Sequence, residues 1–208
     1  MAERGRPRGF DRQVALRRAM EVFWEHGYEG ASLSELTAAM AVNAPSLYAA
    51  FGCKEALFRE AVQLYEQQEG IMVTDAPTAR EAVAGLLRAG ALAYTEPGKP
   101  AGCMVVLAAT TYTPKTEGIR DHLSERRRAA NQQLRRRLEQ GVADGDLPPG
   151  VDTGALADYF TAVLNGMSTQ ARDGLGRAGL LAVADAAMLG WDLLAAGEAG
   201  RSEPSASR

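Results

Sequence analysis

Helical spacing of apolar residues, interrupted by short runs of helix breakers, is the feature that most constrains this chain. Apolar side chains recur three or four positions apart almost throughout, and the strict alternation typical of a half-buried strand is nearly absent. The clearest breakers are Pro97-Gly98-Lys99-Pro100 and Pro148-Pro149-Gly150. The pattern predicts an all-α fold with helices at about residues 11–27, 32–41, 45–51, 54–68, 78–95, 102–111, 116–142, 152–173 and 178–196.

Composition narrows the classes of protein to which such a helical chain can belong. The 208 residues carry 23 basic and 26 acidic side chains, a net charge of -3, so any contact with nucleic acid has to be local. Two cysteines and two histidines are too few for a disulfide scaffold or a four-ligand zinc site, and we predict no metal and no cofactor. Without a long apolar run or a signal peptide, the sequence predicts a cytoplasmic protein with no membrane partner.

The first third of the chain has the pattern of a helix-turn-helix. Ser32 followed by Glu35 forms a capping box, and Pro45 suits the first turn of the next helix, where its missing N–H would be unpaired anyway. In this motif the second helix presents its N-terminal residues to a DNA groove while the first one braces it. Leu47 and Phe51 are expected to face the core. The residues expected on the outside or leading edge are Asn43, Ala44, Pro45, Ser46, Tyr48 and Ala49.

A basic arm precedes this motif. The first 18 residues contain six arginines against two acidic residues, a local net charge of +4. Next to a helix-turn-helix, such an arm predicts that Arg4, Arg6 and Arg8 lie along phosphates or enter a minor groove. The alternative is a tail that only improves solubility.

The same region resembles the TetR family of bacterial transcriptional repressors over about residues 10–65. The resemblance rests on a first helix closed by Gly27 and Tyr28, and on three segments that read Ala31-Ser32-Leu33-Ser34-Glu35-Leu36, Asn43-Ala44-Pro45-Ser46-Leu47-Tyr48 and Phe51-Gly52-Cys53-Lys54-Glu55-Ala56-Leu57-Phe58. It implies an N-terminal three-helix helix-turn-helix DNA-binding domain and a larger C-terminal helical domain for ligand binding and dimerisation.

The resemblance also implies roles for individual residues. Tyr48 and Lys54 match positions that clamp backbone phosphates, and the positions of residues 43–46 approach base edges. Ser32 and Ser34 are expected to donate to phosphates. Ala49 stands where the family often has a bulky polar residue, so base reading here is expected to rely on few direct contacts and on DNA shape.

The break at residues 70–77 predicts two lobes and a tail. We expect a DNA-binding domain at 1–68, a ligand-binding and dimerisation domain at 69–197 and a flexible tail at 198–208. A small, mainly apolar effector that releases the repressor from a palindromic operator would bind in the larger domain. Its candidate contacts are Leu87, Tyr94, Cys103, Met104, Leu107, Thr111, Arg126, Phe160, Leu164 and Met167. The alternative for these residues is ordinary core packing, and for Arg126 an ordinary ion pair.

The last two predicted helices, 152–173 and 178–196, favour a homodimer. Ala178, Ala182, Ala186 and Gly190 recur at every fourth position, beside a second apolar stripe that includes Leu180. Two apolar faces per helix exceed what one small chain has to bury, and pairing across a two-fold axis would cover the excess. The same symmetry would place two reading helices about one DNA turn apart.

Three other functions compete with this interpretation. Cys103 lies near a predicted helix start that favours its thiolate, so a redox- or electrophile-sensing repressor is one alternative. A helical ligand carrier without DNA binding is another. An enzyme is not expected, because no nucleophile or Cys/His cluster accompanies His26 or His122, and the GxGxxG match at residues 174–179 follows a helix instead of a strand.

Overall fold

A computed structural model describes residues 11–73, 75–110 and 112–196. All regular secondary structure in this part of the chain is helical, as predicted. None of its helices is both long enough and apolar enough to cross a membrane. The helices are α1 (Arg12–Gly30), α2 (Leu33–Met40), α3 (Ala44–Phe51), α4 (Lys54–Glu69), α5 (Ala79–Ala93), α6 (Met104–Leu107), α7 (Glu117–Ala143), α8 (Thr153–Arg172), α9 (Arg177–Leu189) and α10 (Trp191–Leu194).

The chain divides into two compact units. The first unit combines the chain up to Gly70 with Leu107–His122, and the second combines Ile71–Val106 with the chain from Leu123 onward. The sequence-based division after residue 68 was contiguous and did not bring residues 107–122 back to the first unit. Arg4, Arg6, Arg8, Thr111 and the tail 198–208 lie outside the described residues.

Aromatic side chains form the centre of the first unit, where α1 packs against α2 and α4. The Phe58 ring lies edge-on to Phe23 and Tyr28, with ring centroids 5.0 and 5.1 Å apart. Trp24 meets Tyr65 in the same way at 4.8 Å. These edge-to-face contacts add to the area burial of large apolar side chains and fix the ends of α1 and α4 relative to each other.

Local caps define where the N-terminal helices begin. Asp11 accepts hydrogen bonds from the N–H groups of Gln13 and Val14 at the start of α1. Ser32 and Glu35 cap α2 reciprocally, which confirms the predicted capping box. Cys53 is the N-cap of α4, with its sulfur 3.4 Å from the Ala56 nitrogen. The starts of α1, α2 and α4 are therefore set by residues next to them in sequence.

Two predicted helices were wrong in extent. The helix expected at 102–111 is only α6, because Gly102 has a φ of 80° and the Ala108 carbonyl accepts the Tyr28 N–H at 2.8 Å instead of continuing a helix. The helix expected at 178–196 is interrupted at Gly190, which separates α9 from α10. In the first case a contact distant in sequence overrides local periodicity.

The second unit is built on α5, α8 and α9, which pack against one another. Gly90 on α5 allows a close approach, since a Cβ there would lie 2.5 Å from the Leu164 side chain on α8. Phe160 and Trp191 meet beneath α9 with their ring centroids 5.6 Å apart. The buried cluster of this unit includes Leu87, Tyr94, Leu134, Leu138, Phe160, Met167, Leu180 and Trp191.

Candidate nucleic-acid interface

The third helix presents one face to the core and the other to solvent. Leu47 is fully buried and Phe51 almost so, which confirms their predicted inward orientation. Tyr48 has 43% of its surface exposed, so its hydroxyl is available to a partner. The other exposed residues of this edge are Asn43, Ala44, Pro45, Ser46 and Ala49. The helix therefore has the exposed reading edge that the sequence predicted.

Asn43 fixes the first turn of α3. Its side-chain oxygen accepts the Ser46 N–H at 2.8 Å, which satisfies one of the unpaired amides at the helix start. The side-chain oxygen of Asn43 is thus engaged, and its amide NH2 is what remains to donate to a base or phosphate. We assigned Asn43 to base reading alone; the preference of asparagine for N-cap positions was the signal for this second role.

The two serines at the start of α2 are engaged with each other and with Glu35. Ser32 donates to the Glu35 carboxylate at 2.7 Å and accepts the Glu35 N–H at 3.1 Å. The Ser34 hydroxyl lies 2.9 Å from that of Ser32. These bonds from Ser32 hold the pKa of Glu35 below its usual value. Phosphate donation by Ser32 or Ser34 would require giving up one of these bonds.

Lys54 lies at the start of α4 with its ammonium 4.5 Å above the centre of the Tyr28 ring. Partial burial lowers the pKa of Lys54, and the charges of Glu29 and Glu35 partly oppose that shift. Within the part of the chain that the structure describes, Lys54 makes no ion pair with a carboxylate. The ring holds the cation in place through a cation–π contact.

Arg12 braces the far end of α3, a role that the sequence did not indicate. Its guanidinium lies 4.4 Å from the centre of the Phe51 ring and pairs with Glu60 at 2.7 Å. It also reaches the Ala50 carbonyl at 3.4 Å. Because α1, α3 and α4 all meet at this side chain, Arg12 helps to fix the orientation of the reading helix.

The predicted effector contacts have different environments. Leu87, Tyr94, Phe160 and Met167 belong to the packed core of the second unit, and Leu164 is partly buried against it. Met104 is fully buried, whereas Leu107 is partly buried and belongs to the first unit. Arg126 is exposed.

Arg127, the residue after Arg126, is partly buried. Arg127 follows Leu123 by four residues on the inner face of α7 and donates to the Val105 carbonyl at 2.8 Å. Burial lowers the pKa of Arg127, and the nearby Cys103 sulfur partly opposes that shift. The sequence predicted Arg126 as an effector contact, whereas the partly buried arginine is Arg127, one four-residue step after Leu123.

Cys103 packs against the apolar cluster of the second unit and also has polar neighbours. Its N–H donates to the hydroxyl of Ser168 at 2.8 Å, and Ser168 is completely buried. Burial raises the pKa of Tyr94 well above its ordinary value, and the nearby Cys103 sulfur raises it further. Cys103 is itself partly exposed. Cys103 thus interacts electrostatically with Arg127 and Tyr94 while it packs against apolar side chains.

The last long helices each expose a second apolar face. On α9 the buried side includes Leu180 and Ala184, while Leu189 on the other side has 85% of its surface exposed. Ala178, Ala182 and Ala186 are exposed with it. The exposed small and apolar residues of α8 are Ala155, Tyr159, Ala162 and Gly166. The two-faced pattern predicted for these helices is confirmed.

Comparison with known proteins gives matches across both units. Residues 15–61 match the tetR family of bacterial regulatory proteins, and residues 79–175 match the tetracyclin repressor-like C-terminal domain. The HTH-type transcriptional repressor ComR of Escherichia coli (strain K12) is 35% identical over 90% of this chain and 92% of its own length.

Two solved structures are also similar. One is a cysteine mutant of the TetR family transcriptional regulator CifR, complexed with 26bp double-strand operator DNA. It is 50% identical, with a TM-score of 0.85, and the match covers 89% of this chain and 100% of that one. The other is a putative TetR transcriptional regulator from Rhodococcus sp. RHA1, which is 40% identical with a TM-score of 0.56, over 85% of this chain and 97% of that one.

Proposed function

This chain belongs to the TetR family of bacterial transcriptional regulators, and from that membership we propose how it works as a DNA-binding repressor. The observation that carries the proposal is the exposed edge of α3, with Tyr48 on the edge and Lys54 just after it. Tyr48 and Lys54 bind backbone phosphates and fix the position of α3 in the major groove. Residues 43–46 approach the base edges. The first unit is thus the DNA-binding domain.

The operator is palindromic because the repressor is a two-fold homodimer. The exposed apolar faces of α8 and α9 supply a surface that a second copy can cover with the same residues. Two copies of α3 would then read half-sites about 34–36 Å apart, one turn of DNA. Ala49 adds only a methyl group at the edge, so much of the operator preference would come from DNA shape. We place this repressor in the cytoplasm, where the DNA lies.

The second unit carries the effector response. A small, mainly apolar molecule that prefers one conformation of this unit would lower operator affinity through the difference in its affinity for the two states. Cys103 and Leu164 support this assignment, since both are only partly buried where they pack against the apolar cluster of this unit.

Lys54→Ala and Tyr48→Phe test the DNA contacts. Both substitutions should weaken binding to operator and to unrelated DNA by similar factors, because phosphate contacts carry no sequence information. Lys54→Ala should also lower the slope of log affinity against log salt by about 0.9 for each protomer's lost contact. Binding is measured on a selected operator duplex over a series of salt concentrations.

Lys99→Ala is the matched control, because Lys99 pairs with Glu96 in the second unit. It should change neither affinity nor salt slope. The assignment of the phosphate contacts would be wrong if Lys54→Ala and Tyr48→Phe both bound operator as tightly as the unsubstituted protein at every salt concentration.

A second candidate function is release of DNA after modification of Cys103 by an electrophile. The environment of Arg127, Tyr94 and Ser168 favours it, since a nearby guanidinium stabilises a thiolate. Treatment with N-ethylmaleimide would form a carbon–sulfur bond at the ring alkene, with the proton that completes the addition coming from water. Release of operator should then disappear in Cys103→Ser and persist in Cys53→Ser. Release that persists in Cys103→Ser would exclude this function.

A further inference from the structure

Residues 107–122 attach to the end of α1 within the first unit. The Ala108 carbonyl accepts the Tyr28 N–H at 2.8 Å. Gly27 makes the approach possible, because its φ is 71° and a Cβ there would lie 3.0 Å from the Ala108 oxygen. The backbone N–H of Tyr28 is thus held by a segment that is 80 residues away in sequence.

A second attachment joins the same segment to Glu29. The Thr116 hydroxyl donates to the Glu29 carboxylate at 2.5 Å. The Thr113 N–H in turn donates to the Thr116 oxygen at 3.0 Å, which orients that hydroxyl. Nearby, Arg59 donates to the Gly118 carbonyl at 3.2 Å. Each of these contacts lies within the first unit.

Tyr28 and Glu29, the residues to which this segment attaches, are also neighbours of Lys54. The Lys54 ammonium lies over the Tyr28 ring, and its pKa responds to the charge of Glu29, the residue after Tyr28. Glu29 nevertheless forms no ion pair with Lys54, and its carboxylate is bonded to Thr116 instead. Two carboxylates act on this ammonium through their charge, and each is hydrogen-bonded elsewhere: Glu29 to Thr116 and Glu35 to Ser32.

We propose that Thr116 is a positioning residue for DNA binding: its hydroxyl holds the Glu29 carboxylate away from Lys54 and so keeps the ammonium available to a DNA phosphate. When the Thr116 hydrogen bond is lost, Glu29 turns to Lys54 and competes with the phosphate for the same cation. A carboxylate and a phosphate oxygen bind an ammonium in the same way, so the two pairings exclude each other. This inference rests on the phosphate-binding role of Lys54 proposed above.

Four variants test the competition. Thr116→Val keeps the shape of the side chain but removes the hydroxyl, and it should weaken operator binding by about fivefold to tenfold and lower the salt slope toward that of Lys54→Ala. Thr116→Ser keeps the hydroxyl and should retain the operator affinity and the salt slope of the unsubstituted protein. Adding Glu29→Gln to Thr116→Val removes the competing charge and should restore affinity and slope to those of the Glu29→Gln single variant.

The double variant separates competition from a merely structural role. If Thr116 only stabilised its own turn through Thr113, the loss caused by Thr116→Val would remain when Glu29 is neutral. Glu21→Gln is the matched charge control, because Glu21 is an exposed glutamate on α1. Combined with Thr116→Val, it should restore nothing. Far-ultraviolet circular dichroism and a thermal melt show that each variant is folded.

The outcomes distinguish this inference from the proposed function. If Lys54→Ala does not weaken binding, the phosphate role itself is wrong and the competition has no target. If Lys54→Ala weakens binding but Thr116→Val does not, or if the added Glu29→Gln fails to restore affinity, Thr116 does not act through Glu29 and the inference is overturned. Restoration by Glu29→Gln but not by Glu21→Gln supports it.

Discussion

The two phosphate contacts proposed above, Tyr48 and Lys54, are positioned by different physical means. The Tyr48 side chain projects from α3 with 43% of its surface exposed. Lys54 is a flexible side chain whose ammonium is held over the Tyr28 ring. Holding a long side chain before binding reduces the rotamer entropy that has to be lost in the complex. A surface lysine without such a ring would bind phosphate with less positional precision.

At the N-cap of α4, Cys53→Ser should stabilise the protein. The sulfur of Cys53 accepts the Ala56 N–H at 3.4 Å, and sulfur is a weak acceptor. A serine oxygen is a strong N-cap acceptor, so the free energy of unfolding should rise by about 0.5–1 kcal/mol. Urea unfolding followed by circular dichroism measures the change.

Cys53→Ala is the control for this substitution, because it removes the acceptor while keeping a small side chain. It should be no more stable than the unsubstituted protein. If serine and alanine gave equal unfolding free energies, the cap at this position would contribute nothing.

Individual residues differ in how far the sequence could reveal their roles. The capping pair of Ser32 and Glu35 was predictable because its partners are three residues apart and any helix start imposes that spacing. The bond between Thr116 and Glu29 joins residues 87 positions apart, and no local pattern marks either of them. The sequence favoured Arg126, but the partly buried arginine of α7 is the next residue, Arg127, because seven-residue and four-residue steps diverge along a long helix.

At the scale of elements, α6 is a case in which a tertiary contact overrides the helical periodicity of the sequence. Residues 102–111 have helical spacing, yet of those that the structure describes only Met104–Leu107 form a helix. Val105 and Val106 are β-branched and lower the helix propensity of an already short segment. The Ala108 carbonyl then finds its partner on Tyr28 at 2.8 Å. A one-turn helix has little internal stability, so one external hydrogen bond and a glycine at Gly102 decide its length.

Gly27→Ala should destabilise the end of α1. Gly27 has φ 71° and ψ 177°, a conformation that an L-residue adopts only with strain, and a Cβ would lie 3.0 Å from the Ala108 oxygen. The free energy of unfolding should fall by about 1–3 kcal/mol. Urea denaturation measures this loss.

Gly30→Ala is the matched control three residues later. A Cβ at Gly30 would meet only the His26 side chain, at 3.5 Å, an ordinary van der Waals distance. Its unfolding free energy should stay within about 0.5 kcal/mol of the unsubstituted protein. Equal losses in the two variants would mean that the contact with Ala108 is not what requires glycine at residue 27.

At the scale of the whole molecule, the sequence predicted the exposed apolar faces of α8 and α9 but not the return of residues 107–122 to the first unit. The excess apolar face of α9 is visible in a single sequence because its residues are spaced along one helix. The return of residues 107–122 to the first unit is not, since it depends on contacts with α1 that are remote in sequence. An excess apolar face depends on residues close together in one helix. The path that the chain takes depends on contacts between residues far apart in sequence.

The proposed dimer follows from the excess apolar faces of α8 and α9, and it can be tested by a substitution on α9. Ala182 is exposed in the middle of the small-residue face, so Ala182→Glu would place two like charges near a two-fold axis without disturbing the core of the single chain. Analytical ultracentrifugation should show a monomer at micromolar concentration, while helical content is retained. Operator affinity should fall by more than about tenfold, because the two copies of α3 would no longer be linked.

The control is Ala129→Glu, which adds the same charge at an exposed position of α7. It should remain dimeric and bind operator normally. A lone half-site should distinguish loss of linkage from damage to the reading helix, since Ala182→Glu leaves α3, Tyr48 and Lys54 unchanged. Ala182→Glu and Ala129→Glu should therefore bind half-site DNA with equal, weak affinity. A dimeric Ala182→Glu protein with full operator affinity would show that this face of α9 is not where the two copies meet.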